Sequence, residues 1–238
     1  ELMLWQGDRK IAFTTHLVRL GIPGKNKFKH AQKLEYNNTT PTRELIDFLH
    51  DNGNFVILAH PYWSGTRLEH FNEYSQGIDA MEIYNNVCNL AYGTGYSEAF
   101  FDTAIWADRH IFCVASDDTH QTVSAKNDFC GGFIMVKASC LDRSSIYEAI
   151  SQGNFYASTG PLIDEFYVEN GVAYVKCPPC EKISFNTDFY SGNCTICPDG
   201  SLTQASWEYK SIDNKPRYVR CKVENKNGTA WSQPIWLR

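Results

Sequence analysis

The sequence predicts an α/β fold followed by a smaller, purely β region. Strand-like and helix-like segments alternate from residue 11 to about residue 155, which is typical of a parallel sheet or barrel. After Gly160 and Pro161 the pattern changes to short strands separated by Asn-Gly turn signals. We therefore expect an α/β domain over residues 1–160 and an antiparallel β-sandwich over residues 161–238.

Size and composition fit this organisation. The chain has 238 residues, of which 43% are hydrophobic and 14% aromatic, enough for one large core or for a medium and a small one. The net charge of −5 and the lack of a dense Lys/Arg stripe argue against binding to a nucleic-acid backbone. The short basic segment 25–30 is expected to be a loop that could attract an anionic substrate. No apolar run approaches the roughly 20 residues needed to cross a bilayer, so no membrane partner is expected.

The elements of the α/β region are apolar runs that end in turn residues. Thr40 and Pro41 suit the start of a helix, as N-cap and first helical residue, and Gly53 suits its end. Pro61 ends a buried strand and is expected to hold His60 in an extended conformation. Strands are predicted over 11–20, 55–59, 80–84, 111–115 and 131–136, and helices after Pro41, over 99–107 and over 144–152.

Three candidate site residues follow the ends of predicted strands. His60 follows the strand 55–59, and Asp118 and His120 follow the strand 111–115. In an extended backbone Asp118 and His120 point to one side and Asp117 to the other. A carboxylate and a neutral imidazole can hold a divalent metal, whereas an N-cap aspartate followed by an exposed loop histidine is the structural alternative. Their shared position, at the face where α/β barrels build active sites, favours the metal.

Other polar residues in the predicted strands have less specific interpretations. His16 lies inside an apolar run, where a hydrogen-bonded core imidazole is the more common role. Asn85 and Asn86 follow the strand 80–84 in the same way as His60 follows its strand, while Glu82 is interpreted as structural.

The cysteines indicate the redox environment. There are nine, an odd number, so at least one is unpaired within the chain. Apolar surroundings predict buried thiols, which favour a reducing cytoplasm, at Cys88, Cys113, Cys130, Cys140 and Cys221. Four matches to the N-glycosylation pattern N-x-S/T argue against a cytoplasmic location, although this pattern also arises often by chance. They begin at Asn37, Asn38, Asn193 and Asn227.

The β region contains two C-x-x-C pairs. Cys177 and Cys180 form the first pair, and Cys194 and Cys197 the second. Zinc knuckles use two such turns to complete a site of four thiolates, so a structural zinc is one hypothesis. Packing of cysteines on neighbouring strands, or oxidised pairs, are the alternatives. Around these pairs, a hairpin is predicted at Asn170-Gly171, and Val219, Cys221 and Val223 are predicted to share one strand face.

Four segments together resemble a known family. Leu58–Pro61, Glu82–Asn85, Ser116–His120 and Gly153–Gly160 are similar to motifs of the PHP (polymerase and histidinol phosphatase) superfamily. The resemblance is to its branch of stand-alone metal-dependent phosphoesterases with an appended β domain. It implies a distorted (βα)7 TIM-like barrel that holds two or three divalent cations, commonly zinc, manganese or iron, at its C-terminal face.

The resemblance also implies roles for individual residues. His60 matches the ligand of an A-H-P motif, and Asp118 and His120 match a D-x-H motif; these three would be catalytic as well as metal-binding. His16 matches a further metal ligand, and Glu1 a carboxylate that bridges two metals. The family's H-x-H motif does not occur in the 238 residues, and we expect it to precede Glu1.

The function implied is hydrolysis of a small phosphorylated molecule or nucleotide by metal-activated water. Because ligand histidines must be neutral, activity is expected to fall in acid. Arg67 and Lys27 are candidates for contacts with the ester. The alternative is a non-catalytic metal-binding or interaction protein whose metal site has decayed. Serine-hydrolase chemistry is not favoured, because no G-x-S-x-G segment occurs.

Overall fold

The computed structural model describes residues 2–6, 13–21, 42–120, 128–188, 191–211 and 215–237. The first part of the chain contains five strands and four helices, in the order β1 (Leu2–Gln6), β2 (Phe13–Gly21), α1 (Thr42–Asp51), β3 (Asn54–Ala59), α2 (Leu68–Tyr74), β4 (Ala80–Asn85), α3 (Asn86–Tyr92), α4 (Glu98–Trp106) and β5 (Phe112–Ser116). The next elements are β6 (Phe133–Val136), α5 (Arg143–Ser151), β7 (Phe155–Ser158), β8 (Glu165–Glu169) and β9 (Val172–Cys180). The remaining strands are β10 (Lys182–Asn186), β11 (Gly192–Ile196), β12 (Leu202–Glu208), β13 (Tyr218–Asn225), β14 (Gly228–Trp231) and β15 (Ile235–Trp236).

The first five strands form one mixed sheet in the order β1-β2-β3-β4-β5. β1, β2 and β3 pair antiparallel, and only β3–β4 and β4–β5 pair parallel. Every residue of β3 and β4 is buried, as expected for strands covered on both faces. The helices α1, α2 and α4 contribute further residues to the core around this sheet, including Leu49, Phe71 and Phe101.

The expectation of a (βα)7 TIM-like barrel is wrong. Within the described residues the strands form three separate sheets, and none of them closes on itself. At the outer edge of β5 the backbone N–H and C=O of Cys113 are bonded to the side-chain amide of Gln233, at 2.9 and 2.8 Å. The Gln233 side chain therefore pairs with the backbone groups of β5 to which a further parallel strand would bond. The next strands along the chain, β6 and β7, pair antiparallel in a different sheet.

The other two sheets pack face to face. One runs β11-β10-β13-β14-β7-β6, with β15 paired to β13, and the other runs β12-β9-β8. Their pairings are antiparallel. The hydrophobic core between them includes Val175, Ile183 and Phe185. This arrangement is a small antiparallel sandwich, which the alternation of the sequence after Pro161 predicted.

β13 is buried on both faces because it lies between the sandwich core and the α/β part. Val219, Cys221 and Val223 point into the sandwich core, as the sequence predicted. The alternate residues face α4: Tyr218 joins the core of the first sheet, and Arg220 bonds to side chains of α4. The strand thus joins the two halves of the molecule.

The sheet that contains β13 draws strands from both sides of the predicted boundary at residue 160. β7 precedes that boundary and pairs with β14, which follows it, through Ala157 opposite Trp231. The division into residues 1–160 and 161–238 stays a prediction, and this shared sheet is a physical connection across it.

The cysteine environments match the prediction in part. Cys88, Cys113 and Cys221 are buried thiols, as expected. Cys130 and Cys140 are exposed, so their predicted burial is wrong, because Cys130 lies in the loop before β6 and Cys140 in the loop between β6 and α5. All nine cysteines are free. No helix within the described ranges has the length and apolarity needed to span a membrane.

Two buried thiols predict a loss of stability in alkali. Burial raises the pKa of both Cys113 and Cys221 from the ordinary 9.0 to about 12. Above pH 9 the unfolded chain releases these protons while the folded chain keeps them, so the free energy of unfolding falls as the pH rises from 9 towards 12. We expect a loss of about 1 kcal/mol per pH unit for each thiol, measured by urea unfolding at pH 8, 9.5 and 10.5 under reducing conditions. Cys221→Ala should make the decline shallower, and an equally steep decline in that variant would contradict this account.

Candidate functional site

The candidate site lies where three neighbouring strands end. β3, β4 and β5 are adjacent in the first sheet and parallel, so their carboxyl ends meet at one edge. His60 follows β3 directly, Asn85 is the last residue of β4, and Asp118 lies two residues beyond β5. The position at strand ends is the one that the sequence predicted.

The conformation of His60 differs from the prediction. His60 has a positive φ of 25°, so it is not extended as Pro61 was expected to make it. The chain turns at this point: the amide of Ser64 donates to the carbonyl of His60 at 3.1 Å. His60 is 2% exposed, and its Nδ1 lies 3.1 Å from the Ser64 hydroxyl. The rings of His60 and Trp63 pack in a T-shaped arrangement, with their centroids 4.9 Å apart. The turn therefore folds His60 back over the strand ends.

Glu82 is the buried centre of the site. Its Oε2 accepts hydrogen bonds from the backbone N–H of His60 at 2.8 Å and from the amide of Asn85 at 2.9 Å. Its Oε1 accepts from the Ser116 hydroxyl at 2.5 Å. Burial raises the pKa of Glu82, and the charge of His60 and these hydrogen bonds offset that rise only in part. One carboxyl group thus ties the ends of β3, β4 and β5 together.

Asp118 faces His60 across the strand ends. Its Oδ2 accepts from the Asn85 amide at 3.1 Å and lies 3.8 Å from Nε2 of His60. Its Oδ1 lies 3.6 Å from Nδ1 of His120, which is exposed and also contacts the backbone carbonyl of Asp118. Asp118 and His120 do lie together, but β5 ends at Ser116 and Asp118 has a φ of 52°. A turn, and not the extended alternation assumed from the sequence, brings them together.

Asp117 points away from this group and fastens a loop. Its two carboxylate oxygens accept the backbone N–H groups of Cys130, Gly131 and Gly132 at 2.6, 2.8 and 2.8 Å. A side chain on Gly132 would lie 2.5 Å from the carbonyl oxygen of Ser116, so the loop approaches the end of β5 closely. Asp117 therefore fixes the chain on the side opposite Asp118.

Replacing Asp117 with asparagine is expected to lower the free energy of unfolding by about 2 kcal/mol. An amide has one acceptor oxygen, so its NH₂ group would face a backbone N–H that loses its charged partner. Urea unfolding measures the change. The matched control is Asp142→Asn at the N-cap of α5, where asparagine caps as well as aspartate and the change should be close to zero. Equal effects of the two substitutions would contradict the role of Asp117.

The remaining predicted ligands are only partly located. His16 lies in β2, and its backbone pairs with that of Ala59 in β3, the residue before His60. The side chain of His16 lies outside the described part of the structure. Glu1 and Lys27 lie outside the described residues. Arg67 forms an exposed ion pair with Glu69 at 3.6 Å. In the described part of the chain, no three histidine, cysteine or acidic side chains meet as a group that could hold a metal ion.

The predicted zinc site at the C-x-x-C pairs is not formed. Cys177 and Cys180 are buried with their sulfurs 3.6 Å apart, whereas Cys194 is exposed near Ser184 and Cys197 contacts Asp199 at 3.0 Å. These four thiols make no metal-binding group among the residues that the structure describes. The physical reason is that β9 and β11 direct the two pairs to different environments, one into the sandwich core and one to its surface. Both thiols of the first pair pack into the sandwich core, but from a single strand and not from neighbouring strands as one alternative assumed.

The sequence prediction understated Glu82 and Asn85. Both are fully buried polar residues in a strand whose other members are apolar, and that contrast was the available signal. Buried polar groups require hydrogen-bond partners, and here the partners are the site residues themselves. Ser64 and Ser116 carried no signal in the sequence, because their role depends on the turn after β3 and on the neighbouring strand.

Comparisons with known proteins give one likeness to report. No family model matches the sequence, and no curated protein matches it. The chain is similar in structure to a two-domain protein from Bacteroides vulgatus that contains a predicted PHP-like metal-dependent phosphoesterase. The TM-score is 0.40 and the sequence identity is 12%, over 87% of this chain and 69% of that protein.

Proposed function

We propose that this chain is a metal-dependent phosphoesterase that hydrolyses a small phosphorylated molecule or nucleotide. The observation that supports the proposal is the approach of His60 and Asp118, which are distant in sequence, to 3.8 Å at the ends of adjacent strands. The resemblance of their segments to the A-H-P and D-x-H motifs gives the same assignment. Zinc, manganese or iron are the candidate metals.

The donor chemistry of this pair fits a divalent cation. Nδ1 of His60 lies 3.1 Å from the Ser64 hydroxyl, and Nε2 is the ring nitrogen that lies towards Asp118, at 3.8 Å. In the tautomer in which Nδ1 donates to Ser64, Nε2 would be the nitrogen that accepts a metal. His60 would therefore bind through Nε2, and Asp118 through a carboxylate oxygen. Two ligands are an incomplete set. We propose that His120, His16 and Glu1 complete it.

The bound cation would supply a water of lowered pKa, near 7, and neutralise charge on the phosphoryl oxygens. The chain's own residues hold the site in shape. Asn85 orients the Asp118 carboxylate by a hydrogen bond, and Glu82 fixes the backbone of His60. The Trp63 ring packs against the buried His60 ring in a T-shaped arrangement. His120 is exposed beside the Asp118 carboxylate, where it would contact an ester that enters from solvent.

Two further assignments are proposed with the function. We propose that residues 1–160 form the catalytic part and residues 161–238 an accessory β domain. We also propose a cytoplasmic location, which is supported by nine free thiols.

The experiment begins with the metal content of the purified chain, measured by plasma mass spectrometry. The metal is then removed with a chelator, and Mn²⁺ or Zn²⁺ is added back while turnover of p-nitrophenyl phosphate and of its bis-ester is followed. We expect turnover that depends on added metal and falls below about pH 6, as ligand histidines become protonated. Metal retained without turnover of either ester would favour the non-catalytic alternative. A chain that binds neither metal would exclude the proposal.

A further inference from the structure

The outer face of the three-stranded sheet carries a pair of aromatic rings. Alternation along β8 and β9 turns Val175 into the sandwich core and Tyr167 and Tyr174 outward. These two tyrosines are opposite each other in the antiparallel pair, and their rings stack at 5.0 Å with an angle of 18° between planes. Tyr167 is 41% exposed. The pair forms a ridge on the face of this sheet that is turned away from the sandwich core.

A slot lies beside this ridge. One face of the Tyr174 ring is against Tyr167, so the other face is directed towards β12, where the residue opposite is the small Ser206. The cavity here has a volume of about 360 Å³, and both stacked tyrosines line it together with Lys176, Gln204 and Ser206. The pairing of β9 and β12 shifts register between Leu202 and Gln204, and such an irregularity bends a strand. The volume is within the range of small-molecule sites.

The charges around the slot indicate a neutral ligand. Lys176 is the cation in the lining, and its Nζ pairs with Oε2 of Glu165 at 3.1 Å. Of the described residues that line the slot, the others are uncharged. A phosphate or carboxylate ligand would have to compete with Glu165 for the lysine, whereas a hydroxyl group can accept from Nζ or donate to the carboxylate.

We propose that this slot binds a neutral hexose or N-acetylhexosamine unit of a glycan. A pyranose ring presents C–H groups on its face, which pack against the negative face of an aromatic ring, and hydroxyl groups on its rim. The free face of Tyr174 meets the first requirement. The Gln204 amide, the Ser206 hydroxyl and the Lys176–Glu165 pair meet the second, because they supply both donors and acceptors. A proline-rich peptide fits less well, since such ligands lie between separate aromatic ridges and here the two rings cover each other.

The test uses the full chain on an array of neutral oligosaccharides of glucose, galactose, mannose and N-acetylglucosamine. Any positive is followed by calorimetry and by saturation-transfer NMR. We expect at least one sugar to bind, and Tyr174→Ala to weaken that binding about tenfold. Ser206→Trp, on the solvent face, should block it by filling the slot. Tyr92→Ala removes a more exposed tyrosine at the end of α3 and should change the affinity by less than about twofold.

Three results would overturn the proposal. They are binding of no sugar by the wild-type chain, sugar binding that survives both slot substitutions, and tighter binding of inorganic phosphate or a proline-rich peptide that is lost in the same variants. Circular dichroism of each variant confirms the fold. Because the slot is in the sandwich and the test measures no hydrolysis, its result is independent of the phosphoesterase proposal.

Discussion

Replacing Asp118 with alanine is expected to lower the turnover of the phosphate ester about a hundredfold or more. The carboxylate faces His60 at 3.8 Å and is held by Asn85, so its removal takes away a metal ligand that neighbouring groups cannot supply. Asp118 is partly exposed, and its loss should change the free energy of unfolding little. The measurements are kcat and KM with saturating metal, metal content, and urea unfolding.

His60→Ala should have the same effect on turnover but a larger one on stability. The imidazole is 2% exposed, and its loss leaves a cavity against Trp63 and an unpaired Ser64 hydroxyl. We expect a loss of about 1–3 kcal/mol in addition to the loss of activity. The two variants should therefore differ in stability: Asp118→Ala should lower only turnover, whereas His60→Ala should lower both turnover and the free energy of unfolding.

The matched controls are an exposed histidine and an exposed aspartate away from the site. His70→Ala in α2 and Asp51→Ala at the end of α1 should leave turnover within about twofold of the wild type. If Asp118→Ala and His60→Ala kept wild-type rates, the assignment of these residues to the site would be wrong.

Arg220→Ala is expected to lower the free energy of unfolding by about 3 kcal/mol. Arg220 is 2% exposed, and its Nη2 donates to Glu98 at 3.0 Å and to Asp102 at 2.6 Å. Burial alone would raise the pKa of Glu98, yet the charges and hydrogen bonds of Arg220 and Lys222 hold that pKa below its ordinary value. Removing the guanidinium would leave two carboxylates, about a quarter exposed, without their main partner. The melting temperature should fall by about 6–12 °C.

A second variant distinguishes charge from packing at this position. In the triple substitution Arg220→Met, Glu98→Gln and Asp102→Asn the charges are removed together and methionine keeps an unbranched apolar chain at position 220, so most of the lost stability should return. Arg43→Ala is the control, because Arg43 forms an exposed pair with Asp47 within α1 and its loss should cost less than about 0.5 kcal/mol. A loss from Arg220→Ala as small as that from Arg43→Ala would show that the buried pairs do not hold α4 against β13.

Much of the local structure was predictable because it depends on short-range patterns. The apolar run 55–59 and the turn at Asn170-Gly171 lie where strand and hairpin signals place them. The arrangement of the strands in three sheets was not predictable, and the expected barrel was wrong, because strand pairing depends on contacts far apart in sequence. Nothing near Cys113 indicates that Gln233 occupies the edge of β5, and nothing near Ala157 indicates that Trp231 pairs with it.

The candidate site was predictable to a similar degree. The positions of His60 and Asp118 after strands could be read from the sequence, since a strand end is a local feature. The positive φ of both residues could not; at His60 it accompanies the turn hydrogen bond from Ser64 and the hydrogen bond to the buried carboxyl group of Glu82. The cysteine pairs show the same limit: spacing indicates a metal knuckle, while the strand that carries each pair decides which way its sulfurs point.

The six strands that run from β11 to β6 have a consequence for any attempt to divide the molecule. A protease cut between Gly160 and Pro161 would leave β7 on one fragment and β14 on the other, with their hydrogen bonds intact. The Arg220 pairs and the stacking of His110 on Trp236 would also span the cut. The fragments should therefore stay together as a nicked complex. Neither piece expressed alone would retain its complete set of strand neighbours, so neither is a module that could be grafted onto another protein.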